Sequence, residues 1–285
     1  MRLALEGLGV VQPQRTIVDA LVDQLDLIEA EDALRDSLEE VDVLLHTYHS
    51  LESIHQAIKQ CGVTQSIVQL YGENFSSMES DQTDGAEKEV EEKKQGVLGR
   101  AWEAIKNLFR KFIDWLGGLF TSVNSIKAKL NEAQKKTDNC NYPFPAIILS
   151  LRTIDEVIKY MKGLTGGILM GVKKESTDRN FEAIRKDLES DLSQSNERNC
   201  PSAQVASNAC ENHVYFFDVL GDLKKGFENM LSKVSQHKTL TEMLDTDPGE
   251  AMSQYRDCIV LCKDIIKANV TSSKNLIAAI NKAQK

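Results

Sequence analysis

Val97–Leu130 reads VLGRAWEAIKNLFRKFIDWLGGLFTSVNSIKAKL. Apolar residues recur at Leu98, Trp102, Ile105, Phe109, Phe112, Leu116, Leu119, Val123, Ile126 and Leu130. The steps are threes and fours throughout, the period of one helical face. Ala101, Leu108, Ile113, Trp115 and Phe120 widen that face. The spacing predicts a long amphipathic helix over 97–134, with Gly117-Gly118 as a point of kinking or breakage. Such a face has two uses. It packs in the core of an all-α domain, or it lies on a membrane or a partner helix. In the second use the contact residues are Trp102, Ile105, Phe109, Phe112, Leu116, Leu119 and Phe120. The longest uncharged run, Trp115–Ile126, is twelve residues; a plain transmembrane helix needs roughly 20.

Outward from this stretch the pattern changes. Upstream, Gly72–Gly96 reads GENFSSMESDQTDGAEKEVEEKKQG, without an apolar period and rich in Glu, Ser and Lys. That composition predicts a polar linker over 80–96, in which Ala86–Lys94 can form a solvated helix. Before it, 1–79 reads as a small acidic helical region. Helices are expected from Thr16 to Ala30, from Glu31 to His49, from Ser50 to Cys61 ahead of Gly62, and from Val63 to Tyr71. Downstream, turn formers in 131–145 mark a second boundary, and 141–285 reads as a C-terminal helical bundle. Its stripes are Ile147–Met161, Phe181–Leu188, Phe216–Val234 and a helix opened by Asp247-Pro248-Gly249-Glu250. The fold class is therefore all-α: a multi-helix bundle with a long central amphipathic helix and a small N-terminal helical region.

The net charge of −9 is unevenly placed. Residues 1–79 hold four basic side chains against fourteen acidic ones, and the remainder holds thirty against twenty-nine. The N-terminal region is thus −10 and the rest +1. Val97–Leu130 alone carries +4, with Arg100, Lys106, Arg110, Lys111, Lys127 and Lys129 against Glu103 and Asp114. Glu6 breaks the early apolar run, so the N-terminus does not read as a signal peptide. The six cysteines are accordingly expected as thiols.

Catalytic chemistry is hard to place. The chain has no phosphate loop, dinucleotide fingerprint, nucleophile elbow or zinc-hydrolase helix. His46 and His49, three apart, and Cys258 and Cys262, four apart, have metal-like spacing, with Cys200, Cys210 and His213 as the further candidates. A tetrahedral site needs four ligands that this spacing does not fix, and buried thiols are ordinary core residues. The expectation is a non-enzyme with no metal and no cofactor.

The layout resembles the internal head proteins of giant tailed bacteriophages, the inner-body or ejected class. The features that carry the resemblance are the acidic N-terminal region, a Ser-x-Glu, a polar tract and the AWEAIKNLFRKFIDWLGGLF helix. The resemblance implies a virion protein inside the capsid, made in the host cytoplasm during assembly. It also implies an N-terminal propeptide removed by a head-maturation protease, which cuts after a small residue, any residue and Glu. Ser77-Met78-Glu79 fits that rule and Gly85-Ala86-Glu87 is the alternative; Ala4-Leu5-Glu6, Ser37-Leu38-Glu39 and Ser50-Leu51-Glu52 also match. The implied partners are other head proteins, the protease, and DNA or a membrane through the basic helix. Ejection with the DNA would follow. The competing readings are a membrane-active or toxin-like helical protein and a cytoplasmic helical interaction module.

Overall fold

The computed structural model describes residues 17–71, 83–137, 143–144, 198–199, 203–236 and 247–283, together with Lys186. Four long helices dominate: α1 (Ile17–Cys61), α3 (Thr83–Gln134), α4 (Ala203–Val234) and α5 (Pro248–Ala283). A seven-residue helix, α2 (Gln65–Tyr71), follows α1. One two-residue antiparallel pairing joins Pro143–Phe144 to Arg198–Asn199. The sequence stripes at Ile147–Met161 and Phe181–Leu188 lie outside the described residues.

Interhelical contacts fix the direction of each helix. On the α1–α3 seam Glu52 meets Lys94, Ser37 meets Asn107, and Leu27 lies beside Gly118. As the α1 number falls the α3 number rises, so the two run antiparallel. The same reading holds for α3 and α4, through Phe112–Phe227, Lys127–Asp218 and Gln134–Ser207. It holds again for α1 and α5, through Tyr48–Asp247, Arg256–Asp42 and Lys267–Glu31. The result is an up-down-up-down four-helix bundle. At about 1.5 Å per residue, the 52 residues of α3 make a rod roughly 80 Å long.

α1 is one helix of 45 residues where three segments were expected. Its buried and half-buried face is Leu27, Ala30, Leu34, Ser37, Val41, Leu44, Tyr48, Leu51, His55 and Ile58. The steps alternate three and four over the whole run, the heptad of a coiled-coil seam. That repeat passes through both Glu31 and Ser50 without a change of phase. Ser50 is no cap: its hydroxyl donates to the His46 carbonyl within the helix, at 2.9 Å. The helix ends as expected, with Gly62 at φ 69° donating its N–H to Ile58 O at 2.8 Å.

α3 departs from expectation at both glycine positions and at its start. The tract 80–96, expected as a linker, is helix from Thr83 onward. Ala86, Val90, Lys94 and Val97 form its buried face. Gly117-Gly118 does not break the helix. Gly118 faces Leu27 of α1: a methyl group added there would sit 3.5 Å from Leu27 Cδ1 and 3.9 Å from Leu27 Cα, ordinary van der Waals contact.

The core is continuous through all four long helices. Trp102, Trp115, Phe109 and Phe112 of α3 and Phe227 of α4 are its largest fully buried side chains. Phe112 stacks edge-to-face on Phe227 with centroids 4.6 Å apart, and Phe109 does so on Tyr255 of α5 at 5.3 Å. Central helix α3 thus supplies one broad apolar face to three neighbours.

α5 starts as its sequence indicates. Asp247 Oδ1 accepts the Glu250 N–H at 3.0 Å, capping the helix behind Pro248. Asp247 Oδ2 also accepts from the Tyr48 hydroxyl at 3.2 Å, so the cap doubles as a tie to α1. Gly249 sits under that tie. A methyl group there would lie 2.8 and 2.9 Å from two Tyr48 ring carbons. Gly→Ala in an open helix stabilises by roughly 0.4–1 kcal/mol. Here the overlap with a buried ring dominates, and Gly249→Ala is expected to destabilise by about 1–3 kcal/mol. Urea denaturation gives the sign; a stabilised variant would mean that Tyr48 yields freely.

Candidate functional site

The seam where α1 lies against α3 and α5 carries most of the polar chemistry of the bundle. Two heptad positions of α1 are polar, and each meets a polar partner. Ser37 Oγ accepts from Asn107 Nδ2 at 3.4 Å. His55 Nδ1 lies 3.4 Å from both Lys94 Nζ and Glu91 Oε2. Lys94 is buried, pairs with Glu52 and Glu91, and stands over the Tyr48 ring at 5.8 Å from its centroid. The Lys94 ammonium donates to Glu52 and holds its carboxyl below the usual carboxylate range. Burial, with Asp247 alongside, pushes the Tyr48 phenol well up, so it stays a donor.

Three cross-helix ion pairs on this seam share one polarity. Glu31 pairs with Lys267, Asp42 with Arg256 and Glu52 with Lys94. In each, α1 supplies the carboxylate and α3 or α5 the cation. The outer side of α1 is acidic as well. Asp36, Glu39 and Glu40 border a shallow groove with Val43, Leu44, Gly99, Arg100 and Glu103.

The processing candidates separate clearly. Ser77-Met78-Glu79 lies outside the described residues, between the end of α2 at Tyr71 and the start of α3 at Thr83. Gly85-Ala86-Glu87 does not lie in a linker. It sits near the start of α3, with Ala86 fully buried. Ser37-Leu38-Glu39 and Ser50-Leu51-Glu52 are inside α1, and Ser37, Leu38 and Leu51 are buried. Proteolysis favours exposed backbone free of such packing, so the Gly85 site is disfavoured along with the two in α1.

The membrane-face reading of α3 needs correction. Trp102, Ile105, Phe109, Phe112, Leu116 and Leu119 are all buried inside the bundle, at 7% exposure or less. Phe120 is half-buried, with Lys224 of α4 over its ring at 5.8 Å. The partners of this face are the chain's own helices. No described helix is long and apolar enough to cross a membrane. The basic residues divide likewise: Lys106 is paired to Glu103 and Lys127 to Asp218, while Arg100, Arg110 and Lys129 are exposed.

The metal candidates do not converge. His46 and His49 are exposed, and His55 turns into the α1–α3 seam. Cys258 and Cys262 are buried in α5, and burial pushes both thiols up. His213 Nε2 lies 3.4 Å from Ser272 Oγ, in the α4–α5 contact. Among the described residues no group of three His, Cys, Asp or Glu is placed to hold a metal ion. Cys61, Cys210, Cys258 and Cys262 stand as thiols; Cys140 and Cys200 lie outside the described residues.

The α1–α3 pairing was not legible in the sequence, because its polar members find their partners far along the chain. Lys94 looks like a solvated charge until Glu52 and His55 are brought beside it. One signal was available: the 27–58 heptad, whose steps never lose phase.

One family model aligns with this half of the bundle. Residues 16–141 match the family described as phiKZ-like phage internal head proteins. No curated protein matches the chain, and no solved structure does. The matched segment takes in α1, α2 and α3, so it runs through the acidic region and the aromatic helix as one unit. Residues 16–141, a little under half of the chain, are thus similar to the phiKZ-like phage internal head proteins.

Proposed function

We propose that this protein occupies the phage head as a rigid helical bundle, is cut after Glu79 during head maturation, and leaves the head with the DNA. The observation that carries the cleavage is positional. Of the five small–any–Glu matches within 1–96, Ser77-Met78-Glu79 is the one between two folded helices, whereas the three of them that the structure describes are helical and packed. The protease is the head-maturation enzyme implied by the tripeptide, and other head proteins are the packing partners. The charge balance supports a maturation role. A cut after Glu79 falls at the border between a −10 segment and a +1 remainder. Arg100, Arg110 and Lys129 of α3 are then the exposed cations nearest to serve as phosphate contacts.

Intact mass measurement of the protein from purified virions tests this. The expected product begins at Ser80, and Glu79→Ala blocks or shifts the cut. Virions holding only chains that begin at Met1 would remove the propeptide from the account.

A further inference from the structure

Severing the backbone does not separate the parts of a packed bundle. We propose that α3 and α5 form a cleft selective for an acidic amphipathic helix, and that α1 stays in it after the cut as a non-covalent subunit. The inference rests on the cleavage reading above and extends it: the propeptide does not leave on its own.

The cleft is selective in three ways. Its apolar floor receives a heptad face that is buried from Leu34 to Ile58. Its polar points fix one register, since Ser37 must reach Asn107 and His55 must reach Lys94. Its cations fix the sign of the guest. Asp42 and Glu31 are eleven residues apart on α1, and their partners Arg256 and Lys267 are eleven apart on α5. Antiparallel helices with equal spacing keep both pairs aligned, and Glu52–Lys94 anchors the far end. A neutral or basic helix of the same shape would take one carboxylate from each of three cations, leaving Lys94 with Glu91 and Arg256 with Asp257.

Cutting removes the tether, not the contacts. While the chain is intact, a short tether holds α1 at an effective concentration of order mM. After the cut, retention depends on the affinity of the seam itself, and the seam is the most extensive pairing among the described helices. Departure would also uncover the apolar side of α3, which water penalises.

The test uses the full chain with the recognition sequence of a site-specific protease placed within 72–82. After complete cutting at moderate salt, both pieces are expected to co-elute at the size of the uncut protein with unchanged helicity. An N-terminal piece eluting alone, or a precipitating C-terminal piece, would overturn the proposal. A second arm carries Glu31→Lys, Asp42→Lys and Glu52→Lys in the same chain. The cut variant is expected to bind its N-terminal piece at least about tenfold more weakly. Unchanged binding would refute charge selectivity. Neither result bears on trimming in the virion, which the mass of the virion protein decides separately.

Discussion

Phe112→Ala is expected to destabilise the bundle by about 3–5 kcal/mol, a fall in Tm on the order of 10 °C for a protein of this size. Phe112 is fully buried and touches the centre of the aromatic cluster, with Phe227 at 4.6 Å and Trp115 at 5.7 Å between centroids. Removing the ring forfeits its transfer from water and leaves a cavity lined by large rings that cannot collapse into it. The two aromatic pairs add roughly 0.5–1.5 kcal/mol each beyond area. Phe227→Ala in the same background should cost less than it does alone, because the pair is already broken. Val43→Ala is the control: Val43 is 65% exposed, and its loss should change stability by less than about 0.5 kcal/mol. Urea titrations of the two single phenylalanine variants, their double variant and the control suffice. A Phe112→Ala cost under about 1 kcal/mol would place the ring in solvent and revive a surface role for α3.

Acid should weaken the α4–α5 contact through His213. Burial holds its imidazole down at about 4, against an ordinary 6.5. In the unfolded chain the ring takes a proton as the pH falls below 6.5; in the folded protein it does not until about 4. Between those values the unfolded state binds more protons, so stability is lost as pH falls and is unaffected above 6.5. The difference amounts to ~3 kcal/mol by pH 4. Glu52, also held down, adds loss in the same direction at lower pH. His213→Gln isolates the imidazole: it keeps a hydrogen-bonding side chain and cannot titrate. Between pH 7 and pH 4 the native chain should lose about 3 kcal/mol more than the variant. Equal losses would mean that His213 is solvated in the folded state.

Much of the helical content follows from local pattern. The 98–130 stripe, the Asp247-Pro248 start and the Cys61-Gly62 stop are each set by residues within one or two turns. What was not legible depends on distant partners. Lys94 occupies a core position of α3, and as a charge it interrupted the apolar stripe at the place where the helix was expected to begin. Its neutralising carboxylate is 42 positions away, on a helix of another apparent region. The three-segment reading of 16–61 failed for a related reason. Ser37 and His55 are heptad members whose polarity hides the repeat until Asn107 and Lys94 lie opposite them. The aromatic face was located correctly, but its amphipathic pattern alone cannot distinguish a bilayer from three sister helices. Of the processing sites, helix packing removes the matches within α1 and α3 from favour, while Glu79 rests on its place in the chain.

The family match ends at residue 141, yet the hydrophobic core does not. Phe109 and Phe112 belong to the shared half, and the rings that cover them, Phe227 and Tyr255, belong to the other. The matched segment and the folded unit therefore have different borders. The common segment is an unfinished object: two long helices with a bare aromatic flank. Any relative that keeps this segment and discards α4 and α5 must finish it another way, with a different pair of helices or a neighbouring molecule. The C-terminal half is in that sense a closure, which returns two apolar faces at the height of Phe109 and Phe112.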